Sequence, residues 1–107
     1  MQSAQLGVVL VTAASESEAN AIAHALIAAK LAACVSTWPM RSIYTWQGQV
    51  EQSQEWQLLI KTDLSQFAAL EAQVRSMHSY EVPEIIALSI AAGSAPYLDW
   101  MTQQTRP

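Results

Sequence analysis

Residues 32–62 constrain the fold more than any other stretch, because their pattern is that of one long β-hairpin. The turn lies at Trp46-Gln47-Gly48-Gln49, where Gly48 supplies the positive φ that a two-residue hairpin loop requires. With Gln47 and Gly48 in the loop, the predicted pairs are Trp46 with Gln49, Thr45 with Val50, Tyr44 with Glu51 and Ile43 with Gln52. The turn therefore sets the register of the whole ribbon.

The returning arm alternates with the period of a β-strand. One face carries Val50, Gln52, Gln54, Trp56, Leu58 and Ile60, and the other carries Glu51, Ser53, Glu55, Gln57, Leu59 and Lys61. Each arm runs to roughly a dozen residues, or about 40 Å, which is about twice the usual strand length. A domain of 107 residues is too small to cover such a ribbon, so we expect its distal half to contact another chain.

The composition also favours assembly. Charged residues make up 13% of the chain, where about 25% is typical of soluble domains. So few charges indicate that other subunits cover part of the surface; the alternative is a monomer whose surface is rich in glutamine and serine. The length predicts a single domain over residues 1–107.

Charge and cysteine content exclude several classes of function. A net charge of −4 with five scattered basic residues argues against nucleic acid as a partner. The single cysteine, Cys34, excludes an intrachain disulfide and suits a reducing compartment. The start of the chain has no basic leader, and the apolar run over residues 6–14 is too short to span a bilayer. We expect a cytoplasmic protein with no membrane partner.

The remaining elements surround the hairpin in a regular order. Ser15 and Glu18 form a capping box at the start of the first helix, and Pro39 places the first arm of the hairpin at a sheet edge, with a bend over residues 38–41. Besides the hairpin, the patterns predict a strand over residues 5–13, helices over 15–30 and 64–77, a strand over 84–90, a short helix after Ser94 and a polar tail from Thr102. The order β-α-β-β-α-β-α predicts an α+β split βαβ sandwich in which strand three lies between strands one and two.

The densest group of polar side chains is in the segment after the second helix. His78, Tyr80, Glu81 and Glu84 lie within seven residues and offer an imidazole, a phenol and two carboxylates to a metal or a polar ligand. The alternative is an ordinary helix end, where His78 meets the helix dipole and Pro83 prevents continuation.

Other polar and aromatic residues leave their roles open. Cys34 suits a small buried side chain better than a thiolate nucleophile, His24 suits the surface, and Lys61 suits either an anion or a carboxylate partner. Four hairpin aromatics suit either a stacking platform or contacts with neighbouring subunits: Trp38, Tyr44, Trp46 and Trp56. The sequence shows no recognisable catalytic set, so we expect a protein that is not an enzyme.

Motifs over most of the chain carry a resemblance to a known family. They comprise Ala32-Ala33-Cys34-Val35, Pro39, residues 42–48, Glu55, Ile60-Lys61-Thr62, residues 78–85 and Tyr97-Leu98-Asp99-Trp100. Together they resemble the CutA family, which is named for divalent-cation tolerance. The resemblance implies a ferredoxin-like fold with an extended hairpin and an extra C-terminal helix. It also implies a cytoplasmic homotrimer in which each hairpin reaches the next subunit.

The resemblance implies two alternatives for function. In the first, the protein requires no cofactor but binds copper or another divalent metal weakly, through His78, Glu81 and Glu84. The positions that match copper ligands proposed for the family are Val11, Met77 and His78, and Ser79 replaces the usual proline, so only His78 carries over as a conventional ligand. In the second, the trimer is a sensor or interaction module like the PII proteins. Lys61, Tyr80, Glu81 and Trp46 would then line a cleft between subunits for a small anionic ligand.

Overall fold

The computed structural model describes residues 5–107, and its elements follow the predicted order. They are β1 (Leu6–Ala13), α1 (Glu16–Ala28), β2 (Cys34–Trp46), β3 (Gln49–Asp63), a 3-10 turn (Leu64–Gln66), α2 (Phe67–Met77), β4 (Ile85–Ser89) and α3 (Ala95–Gln104). The predicted α+β sandwich with an extended β2–β3 hairpin and an extra C-terminal helix is confirmed. The prediction about the start of the chain concerns residues 1–4, which lie outside the described residues.

The four strands form one antiparallel sheet in the order β2-β3-β1-β4. Strand β3 lies between β1 and β2, and β2 is at an edge, as predicted. Helices α1 and α2 cover one face, because the sheet residues on that face and the inward stripes of both helices form a single buried cluster. Its largest members include Val9, Val11, Leu58, Ile60, Ile22, Leu26, Leu70 and Val74, each with no exposed surface. The core therefore sits between the helices and the inner half of the sheet.

The hairpin pairs without interruption from Cys34 opposite Lys61 to Trp46 opposite Gln49. All four predicted pairs next to the turn are confirmed, and no bulge breaks the ladder at Pro39, which lies opposite Trp56. Gln47 and Gly48 have φ of 52° and 77°, the left-handed conformations of a two-residue hairpin loop. Strands of 13 and 15 residues make the chain 49 Å long, against 25 and 21 Å in the other directions.

Side chains near the helix ends satisfy the exposed backbone amides. The Glu18 amide donates to Ser15 Oγ at 3.1 Å, and the Glu18 carboxylate accepts from the Ala14 amide at 3.0 Å, which confirms the capping box. Asp63 accepts from the Ser65 amide at the start of the 3-10 turn. Helix α1 ends at Ala28, slightly before the predicted end, because Lys30 takes a positive φ of 58°.

The C-terminal residues do not form the polar tail predicted from Thr102. Helix α3 continues to Gln104, and Thr105 is buried. Gln66 donates to the Thr105 carbonyl oxygen at 2.6 Å, and the Thr105 hydroxyl donates to the Met101 carbonyl at 2.9 Å. These bonds anchor the end of α3 beside the 3-10 turn. Among residues 5–107, no helix combines the length and the apolar character needed to cross a membrane.

Candidate functional site

A concave surface lies between the distal part of the hairpin and the loop that follows α2. We call it the hairpin cleft; its volume is about 640 Å³. From the hairpin it is lined by Met40, Ser42, Ile43, Tyr44, Trp46 and Glu55, and from the rest of the chain by Thr12, Ser79, Tyr80, Glu81, Val82 and Glu84. The register explains most of the hairpin side, because Met40 lies opposite Glu55 and the alternate residues Ser42, Tyr44 and Trp46 follow on the same face; Ile43 alternates to the other face.

The floor of the hairpin cleft is a hydrogen-bonded pair, the buried Glu55 and the partly buried Tyr80. Glu55 is only 7% exposed, and the Tyr80 hydroxyl donates to Glu55 Oε2 at 2.8 Å. Burial and the adjacent carboxylate raise the pKa of Tyr80 far above its ordinary value. Tyr80 therefore stays a neutral hydrogen-bond donor to Glu55.

His78 holds the loop against β1 through both of its ring nitrogens. Nε2 lies 2.6 Å from the Thr12 carbonyl oxygen, so it donates, and Nδ1 accepts from the Tyr80 amide at 3.0 Å. This arrangement defines one tautomer of a neutral imidazole. A metal ion on either nitrogen would have to replace one of these bonds, so the role of His78 here is to position Tyr80.

The three residues predicted to bind metal are not brought together as one set of ligands. Within the described part of the chain, no group of three or more His, Cys, Asp or Glu side chains lies close enough to hold an ion. Besides His78, Glu84 lies near Gln57 Nε2, at 3.5 Å, and Glu81 lines the cleft. The physical reason is that both nitrogens of His78 face backbone groups rather than the carboxylates.

The other positions that match proposed copper ligands supply no further donor. Val11 is fully buried in the core. Met77 packs against the same core cluster, and its sulfur accepts from Gln73 Nε2 at 3.2 Å. Both side chains belong to the packing of the domain.

Three of the four predicted ligand-cleft residues meet within one chain, and one does not. Trp46, Tyr80 and Glu81 line the hairpin cleft together. Lys61 lies six positions along β3 from Glu55, or about 20 Å, and donates to the Tyr97 hydroxyl of α3 at 3.0 Å. That hydrogen bond raises the pKa of Lys61. Within one chain, β3 thus carries Lys61 away from the hairpin cleft, and its place in a cleft between subunits stays a prediction.

The hairpin aromatics divide between the two faces of the sheet. Trp38, Tyr44 and Trp46 lie on the face away from α1 and α2, with 41%, 42% and 47% of their surface exposed. Trp56 lies on the opposite face and packs against the chain's own core, because it shares the face of Leu58 and Ile60. Of the four aromatic residues predicted to contact other subunits, Trp56 therefore packs mainly against the core of its own chain.

Sequence reasoning missed the roles of three residues of this region. The alternation of β3 gave the face of Glu55, but it did not indicate that the side chain would be nearly closed from solvent beside the aromatic residues of β2. On β4, Ile86 and Leu88 are about half exposed on the open face of the sheet, next to Leu10 and Val8. The alternation of β4 indicated their face, but nothing in it indicated that no helix would cover them.

The loop of the cleft is also joined to α1. The Ser79 amide donates to Glu18 Oε1 at 2.8 Å, so the capping carboxylate of α1 also holds the loop. Burial opposes ionisation of Glu18, but hydrogen bonds from Ala14 and Ser79 outweigh it, and the net effect lowers its pKa. A proline at position 79 would lack this amide donor.

Fold and cleft together define a class: a small ferredoxin-like α+β protein with an overlong hairpin beside a polar and aromatic cleft. The chain belongs to the CutA family, because the family model described as CutA1 divalent ion tolerance protein matches residues 7–104. The "Divalent-cation tolerance protein CutA" of Thermus thermophilus is 50% identical over 99 residues, covering 92% of this chain and 96% of the relative.

Other relatives agree in sequence and structure. Human "Protein CutA" is 46% identical over 96 residues, and the matched region spans 89% of this chain but only 54% of the human protein. The solved structure of the "Periplasmic divalent cation tolerance protein CutA" from Archaeoglobus fulgidus has a TM-score of 0.93 and 37% identity, covering 94% of this chain and 99% of that one. The Thermus thermophilus structure has a TM-score of 0.92 and 48% identity, over the same shares of both chains.

Proposed function

We propose that this chain serves divalent-cation tolerance as a ligand-responsive homotrimer, with the hairpin cleft as its binding site. The observation that carries the proposal is the cleft itself, a concave surface of about 640 Å³ in which the buried Glu55 accepts a hydrogen bond from the partly buried Tyr80. Concave surfaces with a few convergent polar groups are the usual form of a small-molecule site. The proposal takes the sensor alternative in preference to a resident metal centre and includes no catalytic step.

Assembly is supported by the uncovered half of the sheet. Trp38, Tyr44 and Trp46 on the hairpin and Ile86 and Leu88 on β4 expose large apolar surfaces on one face. The solvated face of an antiparallel sheet is normally polar, so a large apolar surface there indicates a contact site, and a second copy of the chain is the simplest cover. With three copies around one axis, each hairpin would close the open side of a neighbour's cleft.

Weak binding of copper or another divalent metal is a second candidate, and the observation that favours it is the pair of exposed loop carboxylates. Glu81 and Glu84 both line the cleft and are accessible to an ion, whereas His78 has its nitrogens occupied. We propose that metal contacts here are made mainly by these carboxylates. The expected affinity is low, since two carboxylates provide few ligands.

Native mass spectrometry tests the assembly and the metal contact together. We expect a species of three 11.7 kDa chains that retains little Cu(II) or Zn(II) at one equivalent per chain. The Trp46→Asp variant should dissociate, because a charge would replace an apolar contact. Ile27→Asp is the matched control, because Ile27 is similarly exposed, at 44%, but lies on α1. A wild-type monomer, or an intact Trp46→Asp trimer, would contradict the proposed assembly.

A cytoplasmic location is part of the proposal and is supported by the free Cys34, which suits a reducing compartment. Relatives have names that refer to other compartments: the Archaeoglobus fulgidus protein is called periplasmic, and the rice relative "Protein CutA 1, chloroplastic" is called chloroplastic. Fractionation of the source cells, with detection of the native protein, checks this point.

A further inference from the structure

We infer that the ligand of the hairpin cleft is an organic cation, an ammonium group attached to an apolar body. This inference rests on the proposed function, because it names the class of ligand that the same cleft would take. It reverses the expectation of a small anionic ligand, which depended on Lys61 being in the cleft.

The first support is the charge of the lining. Three carboxylates, Glu55, Glu81 and Glu84, line the hairpin cleft, and among the described residues that line it there is no lysine, arginine or histidine. A cleft with charges of one sign and low-dielectric walls concentrates ligands of the opposite sign. The lining that one chain supplies therefore favours a cation over an anion.

The second support is the state of the Glu55 carboxylate. It is more than nine-tenths buried, and Tyr80 donates to Oε2. The second oxygen, Oε1, accepts no hydrogen bond from the described residues. Every fully buried side-chain oxygen among those residues has a hydrogen-bond partner, so Oε1 is not fully buried. Because Glu55 lines the cleft, Oε1 is accessible from it. A carboxylate removed from water is unfavourable unless it is paired, and a bound ammonium group would complete the pair.

The third support is the aromatic wall above that carboxylate. Tyr44 and Trp46 line the cleft with much of their surface exposed, and Tyr80 is a third aromatic residue of the lining. Faces of tyrosine and tryptophan attract cations, and aromatic walls with a carboxylate are the usual surroundings of bound ammonium groups. The volume of the cleft suits an organic cation better than a bare metal ion.

The assembled wild-type protein is titrated calorimetrically with choline and cadaverine at constant ionic strength. Two probes serve as controls: 3,3-dimethylbutan-1-ol, the neutral carbon isostere of choline, and succinate. We expect at least one of the two cations to bind, and the neutral isostere and succinate to bind at least about tenfold more weakly.

Two matched variants identify the site. Glu55→Gln keeps an oxygen that can accept from Tyr80 but removes the charge, and it should weaken cation binding by about tenfold or more. Glu51→Gln makes the same change of net charge on the same face of β3, at an exposed position outside the cleft, and should leave the affinity within about twofold, since exposed charges contribute little. Circular dichroism and native mass confirm that both variants fold and assemble.

The possible results separate this inference from the function on which it rests. If succinate binds more tightly than the cations, the cation assignment is overturned while the cleft remains a ligand site. If no probe binds, or if Glu51→Gln weakens binding as much as Glu55→Gln, the cation assignment is overturned. Absence of the trimer in the native mass spectrum would contradict the proposed function independently of any ligand.

Discussion

The two ends of the hairpin follow the same pattern and have opposite surroundings. Near its base, Leu58 and Ile60 have no exposed surface, whereas near its tip Val50 is 78% exposed on the same face of the same strand. Both ends are paired in one unbroken ladder. The difference is the cover, because α1 and α2 reach only the base. Alternation thus determines which face a side chain occupies, and the neighbouring elements determine whether that face is buried.

The largest expected effect comes from truncating the same type of position at each end. Leu58→Ala should lower the free energy of unfolding by about 2–5 kcal/mol, because it leaves a cavity in the core. Val50→Ala should change it by about 0.5 kcal/mol or less within one chain, because an exposed side chain loses little. Urea denaturation at one fixed protein concentration measures both. Equal losses would show that the tip is as firmly covered as the base.

Two glycines sharpen the comparison. Gly7 of β1 lies beside the base of the hairpin and Gly48 lies at its tip, and the two positions require glycine for different reasons. At the base, a Cβ on Gly7 would lie 2.6 Å from the Leu88 carbonyl oxygen, so Gly7→Ala should cost about 1–3 kcal/mol through overpacking. At the tip, a Cβ on Gly48 would meet nothing within 4 Å, but φ is +77°, so Gly48→Ala should cost about 1 kcal/mol.

Thermal unfolding of the Gly7→Ala and Gly48→Ala variants measures the two losses of stability. Gly93 stays glycine in both variants. Gly48→Asn separates the two reasons further, because asparagine tolerates the left-handed conformation and should recover part of the loss at the tip. A larger loss for Gly48→Ala than for Gly7→Ala would reverse the expected order.

The smallest effect concerns pH, at the contact between α1 and the loop. The pKa of Glu18 is lowered in the folded chain, so its contribution to stability is complete above the ordinary glutamate pKa of about 4.3 and is lost as the pH falls through the lower, folded value. Glu18 is partly exposed and solvent weakens its interactions, so the contribution should be a few tenths of a kcal/mol. Glutamine does not titrate, so Glu18→Gln should reduce the difference between the free energies of unfolding at pH 7 and at pH 3.

The control for this pH effect is Glu16→Gln, one position before Ser17 on the first turn of the same helix. Comparison of urea midpoints at the two pH values gives the effect for each variant. The interpretation fails if Glu16→Gln narrows the difference as much as Glu18→Gln does.

The fold was predictable because it depends on local patterns. Gly48 and the alternation around it gave the register, and Ser15 with Glu18 gave the start of α1, as the structure confirms. The site was less predictable because it depends on which elements meet in space. The position of Glu55 under Tyr80 joins residues 25 positions apart. The diversion of Lys61 to Tyr97 required the packing of α3, which no periodicity describes.

The unbroken ladder between β2 and β3 also limits how this protein and its relatives can change in length. Because Cys34 through Trp46 each face one residue of β3, adding a single residue to one strand would turn every side chain beyond it to the other face. Glu55 would leave the cleft, and Leu58 would leave the core. Insertions and deletions in the ribbon should therefore occur as matched pairs, one residue in each strand, or be confined to the tip.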